Sequence, residues 1–313
     1  MNNSIGLAFS VENISYAHFI RDQENLILDH IGFINYPFIY DERELFKNDT
    51  VSRLTFLVSE YFKNLEIEMY NISISIESNL AKLKRITLPP NLDERGEFEH
   101  INWDLSQGLC LPLNEYVYHV APNHFEFNSI YDTLVIAIQK RVINFFKSFS
   151  ESAKIKLDNL SVHSLSAELA LRNALGNRIE GLMVLFKISQ NRLETIYLWN
   201  GNYFSSEYEV IKANDFSNNF NEVFLDRIKL KIKQIENLFE QYRRDSSRVE
   251  QVYLYGRMVT ESIMDLIQKN ISIPVNRLNP LKNLTYSESF QNEQHQDTEF
   301  TNYVECIGVA LDV

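Results

Sequence analysis

Gripping a phosphate from a strand-turn-strand scaffold takes two kinds of residue at the turn. A carboxylate organises a divalent metal and the attacking water. Glycine lets backbone N–H groups approach an anion closely. Two segments of this chain have the layout, residues 5–16 (IGLAFSVENISY) and residues 182–211. Their turns carry Ala8, Phe9 and Ser10 in the first copy, and Lys187, Ile188 and Ser189 in the second. Both carboxylates are missing, and the whole chain of 313 residues has 9 glycines. The layout is that of a clamp for a nucleotide, without the means to hold one.

Other chemistry-bearing residues have weaker contexts. His119 and His124 flank Pro122, but no Cys or paired carboxylate accompanies them, so a structural role outweighs a metal pair. His163 follows the strand-like KIKLDNLSV and reads as a core or interface histidine on that strand. Ser4, Ser10 and Ser189 lack the Gly-x-Ser-x-Gly context of a nucleophile. Asp93, Glu94, Glu97 and Glu99 read as a solvated helix start; the sharper reading is a docking face for a basic peptide. Lys187 ends an apolar strand, which favours a structural role over pairing with a phosphate.

Bulk properties narrow the classes. The chain is long enough for two lobes with separate cores. Its net charge of -12 argues against a general nucleic-acid binder, which needs a basic face. The two cysteines, Cys110 and Cys306, imply a reducing compartment and no disulfide framework. No run approaches the ~20 apolar residues that span a bilayer, and the N-terminus enters a strand at once. The expectation is a soluble cytoplasmic protein.

The elements that must position these residues come in two similar sets. Strands are expected at 4–11, 14–20 and 26–36, then a helix over 41–63 and a strand over 71–78. Leu88-Pro89-Pro90 breaks the pattern. A helix start and a strand (NEYVYHVA) follow, then a strand at 133–138 and a helix bearing Val142, Phe145, Phe146 and Phe149. The second set has strands at 181–188, 193–199 and 202–211, joined by an Asn200-Gly201 hairpin turn. A helix over 220–243 has a wide apolar face, which favours packing on a sheet over lying on a membrane. A strand (QVYLYG), a helix (MVTESIMDLIQKN) and an edge strand ended by Pro280 come next. Residues 285–301 read as a polar loop, and VECIGVALDV as a strand-like apolar close.

In this order the segments resemble the actin-like ATPase fold, most closely the PilM branch of the FtsA/PilM family. ISIESNLAKLKRITLPP resembles the strand that leads into the family's inserted subdomain. EHINWDLSQGLCLPLNEYVYHV resembles its helix with Trp, and VYLYGRMVTESIMDLIQKNISIPVNRLNPL its second-lobe unit. The resemblance implies an α/β, two-lobed actin-like (ribonuclease H-like, duplicated) fold with a small inserted subdomain. The first lobe is expected over 1–176, with the insertion at about 85–154. The second is expected over 177–313, with a helical subdomain at about 212–248.

The resemblance also implies a function. PilM-like proteins are cytoplasmic parts of type IV pilus and related secretion platforms. The cytoplasmic N-terminal tail of a single-pass, PilN-like inner-membrane partner docks against their first lobe and inserted subdomain. Their nucleotide motifs fall here on Ala8, Phe9 and Ser10, on Lys187, Ile188 and Ser189, and on Gly256, Arg257 and Met258, which keeps one glycine. The expectation is a pseudo-ATPase scaffold with no cofactor, no metal, no nucleic acid and no direct membrane insertion. It would sit peripheral to the inner membrane through its partners and could self-associate. Trp103 is the one candidate for the partner groove, beside its reading as a core anchor. The rival expectation is a nucleotide-binding switch with atypical phosphate motifs; a sugar or acetate kinase relative comes third. The FtsA-like C-terminal membrane helix is not expected.

Overall fold

A computed structural model describes residues 2–22, 25–36, 43, 45, 47, 49–127, 130–176, 179–211, 220–243, 248–292 and 300–312. The side chains of 122–131 fall outside the described set, and with them the His124 half of the His119/His124 pair. Part of the helical subdomain expected at 212–248 also lies outside it.

Two sheets repeat one strand order. The first meander is β1 (Asn2–Phe9), β2 (Asn13–Asp22) and β3 (Asn25–Asn35). After helix α1 (Thr50–Asn64), strand β4 (Asn71–Ile76) pairs parallel to β1. An excursion through β5 (Ala81–Leu88), α2 (Glu94–Gly108), β6 (Tyr116–Phe127) and β7 (Ile130–Gln139) forms a separate sheet in the order β5-β7-β6. Helix α3 (Lys140–Ala153), strand β8 (Lys156–Val162) and helix α4 (His163–Leu175) complete the first half. The second meander is β9 (Leu182–Ser189), β10 (Arg192–Trp199) and β11 (Asn202–Val210). Helix α5 (Phe220–Arg243), strand β12 (Val249–Tyr255), helix α6 (Glu261–Asn270) and strand β13 (Val275–Arg277) follow. Thus β3-β2-β1-β4-β8 in one sheet matches β11-β10-β9-β12-β13 in the other.

The sheets are buried on both faces, so their strands are apolar on both sides. On β1, Ile5, Leu7 and Phe9 meet α1 and α3. Phe9 packs edge-on against Phe146 and Phe149, at 5.1 and 5.8 Å between ring centroids. Leu54, Val58 and Phe62 make one stripe of α1, as the four-residue spacing requires. Each such side chain, fully buried, stabilises the fold by roughly 1.5–3 kcal/mol. On β9, Leu182, Val184, Phe186 and Ile188 meet α5 and α6. Met183 and Leu185 point the other way, toward α4. The layers therefore run α1 and α3, first sheet, α4 and α8, second sheet, α5 and α6, where α8 is Val304–Ala310.

Five expectations change. His163 opens α4 instead of lying on a strand, and it is buried. The segment 285–301 contains β14 (Thr285–Tyr286), which pairs with β3, and helix α7 (Glu288–Asn292). The apolar close is helix α8, not a strand. All seven of its residues are buried, so it has no amphipathic period, and its β-branched residues mimic a strand. It crosses β1 at backbone contact: a Cβ on Gly6 would lie 2.0 Å from the Cys306 carbonyl oxygen. Because β14 and α8 pack on the first sheet, the chain after Pro280 returns to the first lobe, which a second lobe over 177–313 does not describe. The inserted sheet spans 81–139, and α3, placed inside the insertion by sequence, belongs to the first core.

Candidate functional site

The β1–β2 and β9–β10 turns face one another across a cleft of about 600 Å³ between the lobes. Ala8, Ser10, Lys187, Ser189, Gly256 and Arg257, chosen from separate parts of the sequence, all line it. Met258 does not; it packs on the second core. Strand alternation explains the convergence. Residues 6, 8 and 10 follow one face of β1, toward α8, while 183, 185 and 187 follow the face of β9 toward α4 and α8.

Ala8, Ser10, Gly256, Arg257 and Lys187 are each engaged within the protein itself. Ala8 packs with Cys306, Ile307 and Ala310. Ser10 closes its own turn, donating to the Asn13 carbonyl at 2.8 Å and accepting from the Asn13 amide at 3.2 Å. Gly256 has φ 101°, a conformation that suits glycine, and a Cβ there would lie 2.7 Å from the Ile188 oxygen. Two amides of this loop are already used. Gly256 N donates to Thr301 O at 3.1 Å and Met258 N to Ile188 O at 3.2 Å. Arg257 reaches across the cleft to Glu12 at 3.1 Å, its guanidinium over the Phe33 ring.

The cleft floor is an ion-pair network between lobes. Lys187 Nζ lies 2.6 Å from Glu305 Oε1 on α8 and 3.0 Å from His163 Nδ1 on α4. Arg192 donates to both oxygens of Glu77, at 2.8 and 2.9 Å. Glu77 also accepts from the Val11 amide at 3.0 Å and from the Tyr208 hydroxyl at 3.3 Å. Ser78 donates to Glu194, and Ser78 Oγ accepts from the Ser164 amide at 3.2 Å. Burial alone would lower the pKa of Lys187; Glu305 and Glu194 outweigh it and hold the ammonium charged. Burial, with Lys187 beside it, pushes His163 well below its usual value, so the ring is neutral and accepts at Nδ1. Burial raises Glu194 to about 7, against the opposing pull of Lys187.

The fold implies a magnesium-bound nucleotide in this cleft, and the donor set does not fit one. No carboxylate stands at position 8 or 187, and an ammonium occupies the second place. The three carboxylates on the floor are held by Arg192, Lys187 and Ser78. Sequence reading missed Glu77, Arg192, Glu194 and Glu305. Their only signal was charge inside apolar strands and helices.

A second depression, of about 650 Å³, lies between the first lobe and the inserted sheet. Leu157 to Val162 of β8 form one wall, and Leu134, Ile136 and Ile138 of β7 the other. β8 ends the first sheet and β6 ends the inserted sheet, so two edge strands border the groove. Val117, His119 and Ala121 of β6 also line it, with Val117 48% exposed. Trp103 is not brought here. Helix α2 covers the other face of the inserted sheet, where Ile101 and Leu105 meet Ile86, Leu88 and Val135, and Trp103 faces solvent. The acidic run is a helix start: Asp93 caps α2 by accepting from the Gly96 amide at 2.8 Å.

Comparison with solved structures places the architecture. A PilM–PilN type IV pilus biogenesis complex matches with TM-score 0.75 at 12% identity, over 99% of this chain and 98% of that one. The cytoplasmic domain of EpsL, an inner-membrane component of the Vibrio cholerae type II secretion system, matches with TM-score 0.53 at 8% identity, over 100% and 96%. A Bacteroides thetaiotaomicron protein with an actin-like ATPase fold and unknown function matches with TM-score 0.50 at 13% identity, over 92% and 94%. No protein-family model matches the sequence, and no curated protein does. The chain thus has the two-lobed actin-like ATPase fold expected from its segments. In shape it is similar to the PilM–PilN complex and to the EpsL cytoplasmic domain.

Proposed function

We propose that this protein is a non-catalytic, PilM-like scaffold of a type IV pilus or type II secretion inner-membrane platform. It binds the cytoplasmic tail of a single-pass, PilN-like partner and sits at the membrane through that partner. Among the described residues, no helix is long and apolar enough to cross a membrane. The observation that carries the reading is the groove between β8 and the inserted sheet, whose apolar walls are bordered by Lys147, Asp158, Glu168 and Arg172. An edge strand offers unpaired N–H and C=O groups to an extended peptide, and flanking apolar pockets take alternate side chains. The cleft supports the non-catalytic half of the reading, because Lys187 stands where a metal-binding carboxylate would be needed and is held in an internal ion pair with Glu305.

Calorimetric titration tests the proposal with peptides from the tails of single-pass inner-membrane proteins encoded beside this one. One such tail should bind saturably, and Val117→Asp in the groove should weaken it. Absence of binding by every tail, or binding unaffected by the groove substitution, would overturn the assignment.

A further inference from the structure

Apart from the Glu12–Arg257 pair, the cleft is lined by three carboxylates, Glu77, Glu194 and Glu305, but two cations, Lys187 and Arg192. Arg192 is committed to Glu77 and Lys187 to Glu305. Glu194 is left with a hydroxyl, Ser78, as its hydrogen-bond partner. It is 2% exposed and projects from β10 of the second lobe. Ser78 follows β4 of the first lobe and is itself fastened to the amide of Ser164 in α4. The supernumerary carboxylate therefore sits on the seam between lobes.

We propose that the chain's own side chains hold the two lobes shut, and that a proton on Glu194 determines whether they stay shut. This rests on the reading of the cleft as non-catalytic, since the clasp occupies the place of the phosphates. With Glu194 protonated, two carboxylates balance two cations and the floor is neutral. Its ionisation leaves one buried negative charge without a cation, which costs free energy until water reaches it. Parting the lobes admits that water, at the cost of the Ser78 bond and of the Arg192–Glu77 and Lys187–Glu305 pairs that also cross the seam.

The groups facing Glu194 do not supply another charge of the right sign. Lys187 comes from β9, Glu305 from α8 and Glu77 from beyond β4, and His163 of α4 is neutral. Tyr203 and Tyr208 of β11 and Tyr255 of β12 feel Glu194, and burial raises all three phenols, so they stay neutral near pH 7. Arg85 of β5 donates to the Tyr203 and Phe204 carbonyls. Burial holds Glu194 at about 7, so the change falls near neutral pH.

Spin labels at Lys63→Cys and Lys269→Cys, exposed sites on α1 and α6, report the separation of the lobes. Cys110→Ser removes the exposed native thiol, and Cys306 is buried. Double electron–electron resonance at pH 6 should give one short distance. At pH 8 a longer population should appear, with a midpoint near 7. Glu194→Gln should hold the short distance at both pH values. An unchanged distance between pH 6 and 8 without that substitution would overturn the proposal, and so would the same shift in Glu194→Gln. The first comparison needs no variant at Glu194, so misfolding of Glu194→Gln cannot rescue the idea. Neither result measures peptide binding in the groove beside the inserted sheet, which fails or stands separately.

Discussion

Lys187 and Glu194 stand directly opposite each other in the β9–β10 register, yet the Lys187 ammonium lies 2.6 Å from Glu305 on the facing lobe. Both side chains point into the seam because strand alternation leaves them no other side. An ammonium thus stands at the second-lobe turn, where gripping a metal-bound phosphate would call for a carboxylate. It serves as a fixed internal cation joining β9 to α8.

Breaking that pair should be costly. Lys187→Met leaves Glu305 buried without a cation, and removal of one partner from a buried pair costs about 3–5 kcal/mol. The double variant Lys187→Met/Glu305→Gln should recover much of the loss. Urea unfolding of the four proteins in the cycle measures it; equal destabilisation in the single and double variants would contradict the pairing.

Glu194 makes stability depend on pH in a definite direction. Its carboxyl is held at about 7 in the fold, against an ordinary value of 4.5. The stability it contributes is full below 4.5 and declines as pH rises toward 7, because the unfolded chain releases the proton first. Above 7 no further change comes from this group. Urea melts at pH 5, 6, 7 and 8 should show the decline, and Glu194→Gln should flatten it.

Close approach of α8 to β1 depends on Gly6. Gly6→Val places a Cβ into the Cys306 carbonyl, so α8 must shift. Overpacking of this kind costs about 1–3 kcal/mol, and more where backbone is the obstacle. Thermal melting should fall accordingly, and an unchanged midpoint would show that α8 does not lie against β1.

Much of this was legible in the chain. The two strand triplets and the Asn200-Gly201 hairpin follow from alternation and turn chemistry. Ala8, Ser10, Lys187, Ser189, Gly256 and Arg257 of the cleft were also found, because the resemblance placed nucleotide motifs on them. Their partners were not. Glu305 sits in VECIGVA, where burial on every side erases helical period, so the segment passed for a strand. Glu77 and Arg192 meet across 115 positions of sequence, a contact only the docking of lobes creates. Trp103, weighed as a core anchor or a groove residue, faces solvent on the α2 side of the inserted sheet, whereas the depression beside β8 opens on the opposite face.

In that groove, Val117→Asp puts a charge on an exposed apolar wall. Loss of a docked tail by at least about tenfold in Kd corresponds to about 1.4 kcal/mol. The melting temperature should hardly move, since the residue is 48% exposed. Calorimetry with the cognate tail, beside a thermal melt, separates a docking defect from a folding defect.

The account's central claim is that side chains have replaced nucleotide in the cleft. Isothermal titration with ATP and magnesium addresses it most directly. The account predicts no heat of binding and no rise in melting temperature. It also predicts no hydrolysis from the double variant Ala8→Asp/Lys187→Asp, because the loop amides at Gly256 and Met258 remain engaged. Saturable micromolar binding of magnesium–ATP by the unaltered protein, with a matching rise in melting temperature, would contradict it.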